Sequence, residues 1–213
     1  MLEVKNLRKS FGDFEAVKGI SFSVSKGEVL GFLGPNGAGK STTMRMITGF
    51  LPATSGTAVI CGHDISADPV GAKKCIGYLP ESAPSYRAMT VEDFLTFIAT
   101  VRGFAGKAGR ERVEQVIEKA KLTGVARQTI DTLSKGYRQR TCFAQAIIHD
   151  PQVLIMDEPT DGLDPNQKFT VREMIKEMAA DKAIVISTHI LEEVDAVCTR
   201  AIVIADGEIK ADG

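Results

Sequence analysis

Apolar residues fall along the chain in short continuous runs, separated by stretches in which they recur every three or four positions. Val153–Met156, Ala183–Ile186 and Ala201–Ala205 suit strands buried on both faces, and the helical period between them makes an α/β pattern with a mainly parallel sheet. Ser21–Val24 alternates and predicts an early strand. Glu28–Leu33 predicts a buried strand that runs into GPNGAGKST, with a helix over Lys40–Phe50 behind it. Gly56–Cys61 and Ile76–Leu79 predict two more strands, with a polar loop holding His63 and Asp64 between them.

From Glu81 to Asp150 the period becomes helical. Thr90 followed by Asp93 marks a helix start, a weak capping box with Asp in place of Glu. Arg110–Leu122 carries Val113, Val116, Ile117 and Ala120 on one stripe, and Gly136–His149 predicts a third helix. The segment about 82–150 therefore reads as a helical insertion in a sheet domain spanning 1–213. Strands resume at Gln152–Met156, Ala183–Ser187 and Ala201–Ala205, and Asp206–Gly213 predicts a terminal hairpin. No repeat, linker or low-complexity tract interrupts this order.

Composition narrows the function classes. Across 213 residues, 26 Lys+Arg against 27 Asp+Glu give a net charge of −1, which excludes a polybasic nucleic-acid binder. Cys61, Cys75, Cys142 and Cys198 lie far apart, form no CxxC pair and read as reduced, mostly buried small hydrophobes without a zinc site. The amino terminus has no apolar signal core, and no apolar run approaches the roughly 20 residues of a spanning helix. The expected place is the cytoplasm, with any membrane role exerted through a partner.

The chemistry concentrates in two segments. Gly34-Pro35-Asn36-Gly37-Ala38-Gly39-Lys40-Ser41 satisfies G-x-x-x-x-G-K-[ST] after a predicted strand, as a phosphate-binding loop should. Glycines let successive backbone N–H groups turn inward around an anion through Thr42. Lys40 reaches the β- and γ-phosphates, Ser41 offers a hydroxyl to Mg²⁺, and the following helix adds its positive end. Val153–Met156 ends in Asp157 and Glu158, delivered at the carboxyl end of a buried strand. Asp157 suits Mg²⁺, held through water, and Glu158 suits the polarisation of a water for attack on the γ-phosphate.

Leu133-Ser134-Lys135-Gly136-Tyr137-Arg138-Gln139-Arg140 resembles the signature motif of ATP-binding-cassette (ABC) ATPases, about 20 residues before the Walker B strand. The resemblance covers essentially the whole chain. It extends to Phe11 at the adenine-stacking position, the Walker A loop, Walker B, the D-loop around Asp161–Asp164, and the switch histidine in Ser187-Thr188-His189. It implies a P-loop fold with a small antiparallel β subdomain towards the amino terminus. It further implies a subunit that binds and hydrolyses Mg·ATP and pairs head to tail with a second copy or paralogue around two nucleotides. Ser134 and Gly136 of one copy would then face the Walker A loop of the other, and His189 would contact the γ-phosphate. His63 and His149 have no such partners and are left without a role.

Three departures place the chain within the family. Lys135 stands where the signature has Gly, Tyr137 where it has Gln, and Glu81 of Tyr78-Leu79-Pro80-Glu81 where the Q-loop has Gln. Together the segments Tyr78–Glu81, Leu133–Arg140 and Asp157–Gln167 resemble the branch whose ATPases serve type-2 export permeases. Glu81 can still reach Mg²⁺ or the water through an oxygen but donates no amide hydrogen bond. The resemblance implies a membrane permease as partner, with Ser82–Ala88 as the expected docking stretch, and a peripheral position on the inner membrane face. Chains of this branch usually run towards 300 residues, so a shortened chain or a lost carboxy-terminal extension is expected here. A rival reading is a non-transport ABC ATPase acting on ribosomes or nucleic acid. Near-neutral charge and the absence of a second cassette or heptad tract count against it. A P-loop kinase or GTPase leaves the signature and D-loop segments without a purpose.

Overall fold

The computed structural model describes residues 1–82 and 84–213. Two sheets carry the chain. Strands β1 (Leu2–Phe11) and β2 (Phe14–Val24) pair with β4 (Ser55–Ile60) and β5 (His63–Asp64) in an antiparallel sheet of order β2-β1-β4-β5. The second sheet comprises β3 (Val29–Leu33), β6 (Ile76–Leu79), β7 (Val153–Asp157), β8 (Ala183–Thr188), β9 (Arg200–Ala205) and β10 (Glu208–Asp212). Its order is β10-β9-β3-β8-β7-β6, parallel throughout except for the β9–β10 hairpin.

Every residue of β7 and β8 is buried, as both faces of a covered parallel sheet require, which is why these strands appear in the sequence as unbroken apolar runs. Alternate side chains feed two cores. Leu30, Phe32, Val153 and Ile155 join the first sheet and helix α1 (Lys40–Ile47). Leu154, Met156, Ile184 and Ile186 join helices α3 (Val91–Val101), α4 (Gly106–Lys119), α5 (Lys135–Ile147) and α6 (Pro165–Ala179). The helices between β6 and β7 thus share a core with the sheet. Thr90 caps α3 as anticipated, its Oγ1 accepting from the Asp93 N–H at 3.1 Å, a contact worth about 1 kcal/mol. The anticipated stripe of α4 is buried.

Several boundaries differ from the sequence reading. Ser21–Val24 is only the end of the longer β2, whose earlier half alternates imperfectly because register shifts interrupt its pairing with β1. The polar stretch with His63 and Asp64 forms the short β5, followed by helix α2 (Pro69–Cys75), capped by the Asp68 carboxylate. The first helix stops at Ile47, where the Phe50 N–H folds back to the Arg45 carbonyl at 2.9 Å. Helices α6 and α7 (Leu191–Val197) fill the stretches between the last strands. Of the anticipated docking stretch Ser82–Ala88, Ala83 lies outside the described residues.

Parallel register decides where the chemistry goes. Leu33 pairs with Thr188 and Asp157 with Ser187, so β3, β8 and β7 end together as neighbours. The phosphate-loop sequence, the two carboxylates and His189 all leave the sheet at that one edge.

Candidate active site

The loop after β3 is pressed between strands. A Cβ on Gly34 would stand 2.3 Å from the Ile204 carbonyl oxygen, and one on Gly39 2.6 Å from that of Ala16. Gly39 also holds φ +101°, closed to other residues at little cost. It precedes α1 without any side-chain cap, leaving the first N–H groups of the helix for an anion. Lys40, 5% exposed, folds back over the loop. Its Nζ donates to the Gly34 and Pro35 carbonyls at 2.8 and 3.2 Å and pairs with Glu158 Oε1 at 3.4 Å.

Asp157 is 1% exposed, and its Oδ1 accepts from Ser41 Oγ at 3.1 Å and from Ser187 Oγ. Glu158 sits at φ +50°, a left-handed conformation that costs a non-glycine residue of order 1 kcal/mol or more. Its N–H donates to the Ser187 carbonyl and hydroxyl at 3.2 and 3.1 Å, which holds that turn. The carboxylate is gripped from two sides, by Lys40 on Oε1 and by His189 Nδ1 on Oε2 at 2.9 Å. Lys40 pairs with Glu158, and Asp157 is held by the Ser41 and Ser187 hydroxyls, so each buried carboxylate is paired or hydrogen-bonded.

Above these groups opens a cleft of about 490 Å³. Phe11 and Phe14 stand at one end, 50% and 65% exposed, paired across the turn that joins β1 to β2. Asn36, Gly37, Gly39, Lys40, Ser41 and Thr42 of the loop line the cleft with Glu81, Glu158, Asp161 and His189. Two exposed aromatics together with loop amides and charged side chains suit a base and a polyphosphate in one ligand. Gly34, Pro35 and Ala38 do not line the cleft; the carbonyls of the first two hold Lys40.

Ser134 and Gly136 lie elsewhere, at the start of α5. Ser134 Oγ accepts from the Tyr137 N–H at 3.4 Å, and Lys135 pairs with Asp161 at 3.5 Å. Phe14 is not anticipated by the sequence reading, and Asp161 and Ser187, though named within the D-loop and the switch segment, carry no expected contact of their own. The two aromatics flanking Gly12-Asp13 offered a signal for Phe14; nothing local did so for Ser187, whose contact depends on strand register. The cysteines remain without a role. All four are free, only Cys142 is fully buried, and burial pushes its thiol up to about 12. His63 bonds Asp68 at 2.7 Å and His149 Nε2 the Ile76 carbonyl at 2.9 Å, both away from the cleft.

The donor set fits a hard divalent cation. Ser41 and Asp157 present adjacent oxygens beneath the cleft, and the formal charge of Lys40, Asp157 and Glu158 together is negative, so a cation must offset it before a polyphosphate can settle. Among the described residues no three His, Cys, Asp or Glu gather to hold a metal alone. Phosphate oxygens and water would have to complete its shell.

The model of the family described as ABC transporter matches residues 17–161. The chain is 38% identical over 214 residues to the linearmycin resistance ATP-binding protein LnrL of Bacillus subtilis, covering 100% of this chain and 69% of that protein. It is 37% identical over 213 residues to the Nod factor export ATP-binding protein I of Burkholderia orbicola, covering 100% of this chain and 70% of that one. A solved structure of the ATP-binding subunit of an ABC transporter superposes with a TM-score of 0.90 at 29% identity, covering 100% of this chain and 89% of that one.

Proposed function

The chain belongs to the ABC transporter family, and from that premise we propose that it powers a separate export permease by closing and reopening an ATP-sandwich dimer. It is an ATP-binding ATPase of that family. No helix among the described residues is long and apolar enough to cross a membrane; in this reading the conduit is a separate permease, at whose inner face this chain would sit. The Nod factor relative is named for export, which supports the direction. The observation that carries the reading is the grip on Glu158. Its carboxylate is shared between Lys40 and His189 within the cleft.

Phe11 and Phe14 would stack on adenine. The N–H groups from Gly37 to Thr42 would cradle the phosphates, each pre-aimed by the loop. An arriving γ-phosphate offers Lys40 a stronger partner than Glu158, so Nζ would turn to it and release Oε1. His189 would keep Oε2 in place, and the freed oxygen would take the proton of the attacking water. Ser41 and Asp157, with Glu81 across the cleft, would hold Mg²⁺, which neutralises charge on the β- and γ-oxygens when bound. Ser134 and Gly136 do not line this cleft, which supports their serving a second copy. We assign residues 1–213 to one ATPase domain with a helical part at about 82–150. The permease would dock beside Tyr86, which is 59% exposed and meets Phe97 edge-on at 5.5 Å.

Co-purification of the tagged Glu158→Gln protein from native membranes with ATP tests the transport reading. A stoichiometric membrane protein is expected. Ribosomal proteins or nucleic acid in its place would contradict it.

A further inference from the structure

Glu193 is a buried acid that none of these steps uses. It lies in the first turn of α7, 4% exposed, with both carboxylate oxygens engaged. Oε1 accepts from Lys168 Nζ of α6 at 3.1 Å, and Oε2 from the hydroxyl of Thr188 at 2.9 Å. The same Thr188 oxygen accepts from the Ile190 N–H at 3.1 Å. Burial opposes ionisation, but the Thr160 and Thr188 hydroxyls and the Lys168 ammonium outweigh it and hold the acid below its usual range.

Between Thr188 and Ile190 stands His189. Its side chain is 39% exposed, and among the described residues its ring bonds only Glu158, at 2.9 Å. One bond to a ring nitrogen does not fix an exposed imidazole. The backbone on either side is fixed instead, by a relay from carboxylate to hydroxyl to amide that bridges across the histidine. We propose that Glu193 is a positioning residue for His189, clasping through Thr188 the step at which β8 ends so that the imidazole meets Glu158. The inference rests on the role given to His189 above. It also ties α6, α7 and the cleft into one rigid group, because Lys168 closes the other side of the carboxylate.

The test is a double-mutant cycle on the full chain, measuring ATP hydrolysis. Glu193→Ala should lower kcat about tenfold, the scale of losing a hydrogen bond to a charged group, while KM for ATP stays within about twofold. In a His189→Ala background the same change should alter kcat by less than about twofold. Thr188→Val should reproduce the pattern and supplies it if Glu193→Ala fails to fold, and Thr188→Ser, which keeps the hydroxyl, should restore the rate. Equal tenfold losses with and without His189 would overturn the relay and leave Glu193 a fold brace. If His189→Ala alone leaves kcat unchanged, the assignment of His189 itself is wrong, and the inference goes with it.

Discussion

The cleft around Lys40 and the amino end of α5 use the same parts, a lysine beside a helix N-terminus with glycine and serine, yet they are opposite in state. Lys40 is 5% exposed and held by two carbonyls and a carboxylate. Lys135 has a side chain 52% exposed and, among the described residues, its only ion pair is with Asp161, itself 45% exposed, at 3.5 Å. The N-terminus of α1 has no side-chain cap, whereas Ser134 uses its oxygen to cap its own helix. The cleft is preorganised, so that a phosphate meets fixed dipoles and little reorganisation is needed. At the start of α5 Ser134 and Lys135 are exposed while Gly136 is buried against the Gln167 side chain; in the reading proposed above, this end is offered to a second copy.

The largest expected effect separates chemistry from binding inside the cleft. Glu158→Gln should lower kcat by about 10²–10⁴ while ATP affinity is kept, and Lys40→Ala should instead raise the dissociation constant for ATP. Equilibrium binding beside steady-state hydrolysis distinguishes the two; a matching loss of affinity in both variants would erase the division of labour.

A second effect concerns the far end of α5, which is anchored where the near end is open. His149, just past that helix, bonds the Ile76 carbonyl, and burial followed by the neighbouring Arg102 guanidinium pushes its pKa from 6.5 down to about 4. Between those values the unfolded chain binds the proton and the folded chain does not. Stability should therefore fall as pH drops from about 6.5 towards 4. Thermal melts across that window should show the slope in the natural protein and a shallower one in His149→Gln.

The smallest effect is at the open end. Lys135→Gln removes an exposed pair and should change stability by less than about 1 kcal/mol. A larger loss in a chemical melt would mean that this end is held as firmly as the cleft.

The contrast also explains what could be read beforehand. Lys40, Asp157 and Glu158 were legible because their motifs stand at the ends of strands, and parallel register brings those ends together in space; His189 was legible only through the family resemblance. Ser187 and Glu193 were not. Ser187 meets Asp157 across a strand pair, which leaves no local pattern; Glu193 stands only five residues after Thr188, but a Thr and a Glu at that spacing carry no motif that the sequence reading uses. The first sheet was only partly visible. β1 turns at Asn6, φ +44°, and its register slips there, which breaks the alternation that marks a strand. Lys135 was legible as a departure in the signature motif; its pairing with Asp161 comes only from the fold.

The central claim is that one chain holds only part of the site it needs. Light scattering of Glu158→Gln with and without Mg·ATP addresses it most directly. The account predicts a monomer without nucleotide, a dimer with it, and no dimer when Ser134→Arg is added. A Glu158→Gln protein that stays monomeric while saturated with ATP would contradict it.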